Sequence, residues 1–159
     1  MQFNHLIDML LEQDESIFQP RKVEDRQNRY EQQIYRKIQD YIKNGSEGDL
    51  NLSRIPIQTL PDGLKVGGHL NLMGTQIKTL PAGLEVGGGL NLMGTQIKTL
   101  PAGLEVGGSL DLSHTPIKSL PDGLKVGGNL YLSHTPIAKQ YNYQQLKQMY
   151  PGVKGDIYV

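Results

Sequence analysis

There is no cysteine and no tryptophan among the 159 residues, and phenylalanine appears only twice. Without thiols there is no disulfide framework, no cysteine nucleophile and no thiolate metal site, and a reducing, cytoplasmic compartment is expected. Net charge is missing too. Sixteen Lys and Arg offset sixteen Asp and Glu, so no global field draws the chain onto nucleic acid or an anionic membrane, and neither is expected as a partner. No apolar run approaches the length that crosses a bilayer. The opening MQFNHLIDMLLEQDE has no basic n-region ahead of its apolar stretch, which argues against a signal peptide. Residues 1–49 carry seven basic against ten acidic side chains and residues 50–159 nine against six, too small a contrast to name a partner.

Glycine, by contrast, is plentiful, with nineteen copies, and it belongs to a repeat. Residues 70–89, LNLMGTQIKTLPAGLEVGGG, return at 90–109 with one change in twenty, and looser copies begin at Leu50 and Leu110. A reused unit of this length builds a stack in which each coil packs on its neighbours and the core extends along one axis. Six aliphatic columns emerge, led by Leu50/70/90/110/130 and Leu52/72/92/112/132 and continued at Ile57, Leu60, Leu64 and Val66 and their equivalents. The first two columns are one residue apart, the two-residue period of a strand, so the spacing predicts a parallel sheet with one short strand per coil. Pro61, Pro81, Pro101 and Pro121 favour an extended return path. Gly63 and its equivalents, and the pairs from Gly67-Gly68 to Gly127-Gly128, suggest tight corners with positive φ.

Polar columns read mostly as scaffold. Thr75, Thr95, Thr115 and Thr135 follow the strand, where a hydroxyl can bond freed backbone groups and the next coil. Thr59, Thr79, Thr99 and Ser119 form a second hydroxyl row, also read as ladder bonding because no base stands beside it. Lys65, Glu85, Glu105 and Lys125 share a column in which the outer pairs attract and the central glutamates repel. Lys78, Lys98 and Lys118 form a like-charged row, read as solubilising or as a docking strip for an acidic partner.

The flanks differ from the repeats. Phe3, Leu6, Ile7, Leu10 and Leu11 follow a helical period, Pro20 breaks it, and a second helix is expected from near Val23 to Lys43, stopped by Asn44-Gly45. Residues 1–45 thus form a helical segment covering the first coil, with self-association as an alternative role. Residues 46–137 form the solenoid and 138–159 a second cover. There, Asn142 caps a helix from Tyr143 to about Met149 with Leu146 and Met149 inward, and Ile157 and Val159 re-enter the leucine columns.

The pattern L-x-L-x-x-T-x-I followed by L-P-x-x-L over residues 50 to about 137 resembles the leucine-rich repeat family, in its short twenty-residue bacterial or bacteriophage form. Thr stands where the family's ladder Asn is usual, and Ile55 replaces it in the first coil. The resemblance implies an α/β solenoid with a parallel sheet on its concave face, a helical N-terminal cover, a helix-plus-strand C-terminal cover, and a non-enzymatic role in recognising protein, in phage or bacterial settings as an inhibitor of a host or rival protein.

In such a solenoid the partner lies on the strand face. The expected contact residues are Arg54, His69, Asn71, Met73, Asn91, Met93, Asp111, His114, Tyr131 and His134, chosen because the copies diverge there and because Met, Tyr and Arg suit interfaces. A structural protein assembled through residues 1–45 is the second reading. The third is chemistry on the strand face. His114, His134 and Asp111 are residue types that hold zinc, but no chelating motif such as H-E-x-x-H accompanies them. Nor do the Val-Gly-Gly corners carry the Lys-Ser/Thr of a phosphate loop. No metal, cofactor or catalytic residue is therefore expected.

Overall fold

The computed structural model of the protein describes residues 25–159. The expected helix around Phe3 to Leu11, its break at Pro20 and the helix start near Val23 lie outside the described residues. The chain divides into two units between Gly45 and Ser46.

Before the division runs helix α1, Asp25–Lys43. Ile34 and Ile38, one turn apart, are buried, whereas Ile42 a turn further on is exposed. The helix stops as the sequence predicts: Asn44 N–H donates to Asp40 O, Gly45 N–H to Ile42 O, and Gly45 takes φ 87°, a left-handed C-terminal residue closing orphan carbonyls. No helix among the described residues is long and apolar enough to cross a membrane.

The second unit is a solenoid of parallel strands twenty residues apart, with four full coils. Strands β1 (Leu50–Asn51), β3 (Leu70–Asn71), β5 (Leu90–Asn91), β7 (Leu110–Asp111), β9 (Leu130–Tyr131) and β10 (Ile157–Tyr158) form one six-stranded sheet in that order. Register is leucine on leucine, Leu50↔Leu70↔Leu90↔Leu110↔Leu130, so all members of a column face the same interior. The six aliphatic columns are buried throughout, and Leu52, Leu72, Leu92, Leu112 and Leu132 have no solvent exposure at all.

A second sheet departs from the expected single strand per coil. Strands β2 (Lys65–Val66), β4 (Glu85–Val86), β6 (Glu105–Val106) and β8 (Lys125–Val126) pair in parallel in that order. Each buries its valine and exposes its charge. The signal is present in the sequence, since Leu64 and Val66 and their equivalents are one residue apart with an exposed charge between them, the same two-residue period as Leu50 and Leu52.

The glycine pairs do different work from that expected. Positive φ occurs at Gly63, Gly83, Gly103 and Gly123, but not at the pairs. A Cβ on Gly107 would lie 2.0 Å from Gly87 O, and one on Gly127 would lie 2.0 Å from Gly107 O. The pairs are glycine because adjacent backbones meet there, with Gly107 N–H donating to Val86 O and Gly108 N–H to Gly88 O.

The hydroxyl columns also differ from expectation. Thr75, Thr95, Thr115 and Thr135 are buried, and each Oγ1 donates to the second strand leucine of its own coil, at 2.8 Å from Thr75 to Leu72 O, with no bond to the next coil. In the second row, Thr79, Thr99 and Ser119 are exposed, and Thr59 Oγ1 is buried with no hydrogen-bond partner.

After Leu132 the coil departs from the pattern. Helix α2, Pro136–Gln140, has Thr135 as its N-cap, its Oγ1 accepting from Ala138 N–H. Thr115-Pro116 has the same start without a helix, because the Leu120-Pro121 corner follows it and no such corner follows Ile137. Helix α3, Tyr143–Met149, carries a capping box in which Asn142 and Gln145 each accept the other's backbone N–H, and buries Leu146. Met149 is 46% exposed rather than inward. Tyr150, four residues after Leu146, lies half-buried instead, its hydroxyl bonded to the Leu120 backbone. Ile157 enters the leucine column opposite Leu130 and is buried, but Val159 is 51% exposed, with nothing among the described residues stacked beyond it.

Candidate functional site

The chain leaves the main sheet by a three-step corner, complete in the coils that begin at Leu70, Leu90 and Leu110. The second strand residue points out of the core and turns its side-chain oxygen back onto the N–H two residues ahead: Asn51 to Ser53 at 3.0 Å, Asn71 to Met73 at 3.1 Å, Asn91 to Met93 at 3.0 Å and Asp111 to Ser113 at 2.9 Å. Short carbonyl side chains make this turn readily. The next coil position but two, Arg54, Gly74, Gly94, His114 or His134, sits in the left-handed region at φ 59–71°. The buried threonine then closes the corner in the coils that carry it. Asn71, Asn91 and Asp111, named from the sequence as contact residues, are thus half-buried and partly committed to their own turns.

The left-handed position separates the coils. Gly74 and Gly94 accept it without strain, while a side chain there costs about 1–2 kcal/mol. Arg54, His114 and His134 bear that strain and are exposed. His114 and His134 stack, with ring centroids 4.4 Å apart and planes within 17°. One row earlier, Tyr131 has no carbonyl to form the turn; its ring stacks on Tyr158 at 4.9 Å and 9°, and Asn129 Nδ2 donates to its hydroxyl. Met73 and Met93 lie half-buried between these groups and Arg54 along the row of coils.

His69 belongs elsewhere. It stands just before the strand, in a column with Asp49, Gly89, Ser109 and Asn129, where side chains bond the backbone of the following coil. Asp49 Oδ1 accepts from His69 N–H at 2.7 Å, His69 Nδ1 from Gly89 N–H at 2.8 Å, Ser109 Oγ from Asn129 N–H at 3.0 Å and Asn129 Oδ1 from Asp156 N–H at 2.9 Å. Gly89 interrupts the series. The sequence places the side-chain ladder on threonine; the signal for its true position is that Asp, His, Ser and Asn are all acceptors.

As metal ligands the histidines are poorly disposed. Stacked rings aim their in-plane lone pairs in parallel instead of converging them on one ion. One Asp111 oxygen already receives the Ser113 amide. Among the described residues no three His, Cys, Asp or Glu side chains gather as a ligand set.

No family model, curated protein or solved structure matches the chain. The repeat and its geometry therefore carry the functional reading.

Proposed function

We propose that the protein is a non-enzymatic protein-binding module built on a leucine-rich-repeat type of solenoid. The six-stranded sheet lines the concave side, the helix and strand of residues 138–159 cover the core at the C-terminal end, and the strand face with its corner residues meets the partner. One observation carries this reading. Arg54, His114 and His134 keep exposed side chains in a left-handed conformation where Gly74 and Gly94 serve the same corner without strain. Strained, exposed, non-repeating residues on an otherwise repeated frame favour a role outside the fold. Arg54, and Tyr131 in the coil of His134, are of the types that anchor interfaces.

Affinity capture with wild type and with Arg54→Glu/Tyr131→Ala tests it. Partners lost by the variant, with its circular dichroism still native and only the modest drop in melting temperature that loss of the Tyr131–Tyr158 stack implies, are expected. Identical partners from both would remove the strand face from consideration.

A further inference from the structure

Charge is segregated along each coil. The windows 53–60, 73–80, 93–100, 113–120 and 133–140, which run from the corner to the end of the return path, contain no Asp or Glu. They do contain Arg54, Lys78, Lys98, Lys118 and Lys139, one cation per coil, all exposed. Every acidic residue of 46–159 lies outside these windows. The ion pairs Lys65–Glu85 and Glu105–Lys125 lie on the second sheet, and among the described residues none of these five cations has an acidic partner. Like charges repeated at a coil step of about 4.8 Å repel, yet the pairs at 65/85 and 105/125 show that this frame accommodates opposite charges on neighbouring coils.

Resting on the protein-binding reading above, we infer that this flank receives an acidic helical segment of the partner. Lys78, Lys98 and Lys118 share one column and recur at about 4.8 Å, close to the roughly 5–6 Å between side chains at i, i+3 and i, i+4 on one helix face, while Arg54 and Lys139 stand in other columns and widen the basic flank. A single-stranded nucleic acid would call for aromatic platforms to stack its bases, and the lysine row is interleaved with Thr, Ser and Gln instead.

The test is fluorescence anisotropy with a labelled glutamate–alanine helical peptide and, separately, a labelled oligothymidylate, on the full chain. Expected is peptide binding at about 50 mM salt that weakens toward about 200 mM as screening rises, and a drop of tenfold or more in Lys78→Gln/Lys98→Gln/Lys118→Gln. Lys65→Gln/Lys125→Gln, on the second sheet, should bind the peptide as wild type does, and partner capture by the strand-face variant is read separately, so a failed strand face and a failed acidic flank give different results. No peptide binding at low salt, equal binding by the triple variant, or tighter binding of the oligonucleotide would each overturn the inference.

Discussion

His114 and His134, twenty residues apart in sequence, lie ring on ring at 4.4 Å, both at φ 60°. Stacking recovers part of what the left-handed backbone costs, because aromatic-type rings in contact contribute about 0.5–1.5 kcal/mol. Arg54 has the same backbone with no stacked neighbour.

That contrast predicts the order of glycine substitutions. Arg54→Gly should raise stability by about 0.5–1 kcal/mol, the relief of strain less the added freedom of the unfolded chain. His114→Gly should gain less, since it also loses the stack. Gly94→Ala should lose about 1 kcal/mol from backbone strain alone, because nothing lies within 4 Å of a Cβ there. Urea midpoints measure all three, and a destabilised Arg54→Gly would contradict the account.

The charged column of the second sheet predicts a gain from rearranging charge. Lys65–Glu85 and Glu105–Lys125 form ion pairs, and strand register at these steps includes the charged residues. Between Glu85 and Glu105 pairing is confined to Val86↔Val106. The double swap Lys65→Glu/Glu85→Lys makes the column alternate throughout. With side chains about two-thirds exposed, the gain should stay within about 0.2–1 kcal/mol and shrink as salt rises. Thermal melts at low and high salt should show the two proteins converging; a gain that persists in high salt would point to a cause other than charge.

His69 predicts that chemistry, not residue identity, matters before the strand. His69→Ala removes the acceptor of the Gly89 N–H, at a cost of about 0.5–1.5 kcal/mol. His69→Asp should restore most of it, because Asp49 accepts the equivalent amide one coil earlier. Hydrogen exchange at Gly89 gives the local readout. Faster exchange in the alanine variant and near-native exchange in the aspartate variant are expected, and equal protection in all three would rule the bond unimportant.

The stack was legible in the sequence because aliphatic spacing and burial obey one period: every column from Leu50 to Val126 is buried. The Asn142 cap was legible because Asn followed three residues later by Gln is a local signal. Less visible were features whose letters change while their chemistry does not, as in the acceptor column of Asp49, His69, Ser109 and Asn129. Counting helical positions puts Met149 inward, but Tyr150, the residue that caps this short helix, takes the inner place. At the candidate site, divergence identified Arg54, His114, His134 and Tyr131 as unlike their neighbours. It gave no hint that Asn71, Asn91 and Asp111 turn back onto their own backbone, since that depends on a corner geometry no single residue announces.

Arg54 and His114 occupy one corner position three coils apart, and the two coils between them present glycine there. Residues 70–89 and 90–109 are nearly interchangeable, and each coil advances the stack by about 4.8 Å. Gain or loss of one such unit would move the two groups by that increment and leave the surroundings of each intact. The solenoid is in this sense a gauge graduated in coils, on which the reach between guanidinium and imidazole can be reset in whole steps by duplication alone.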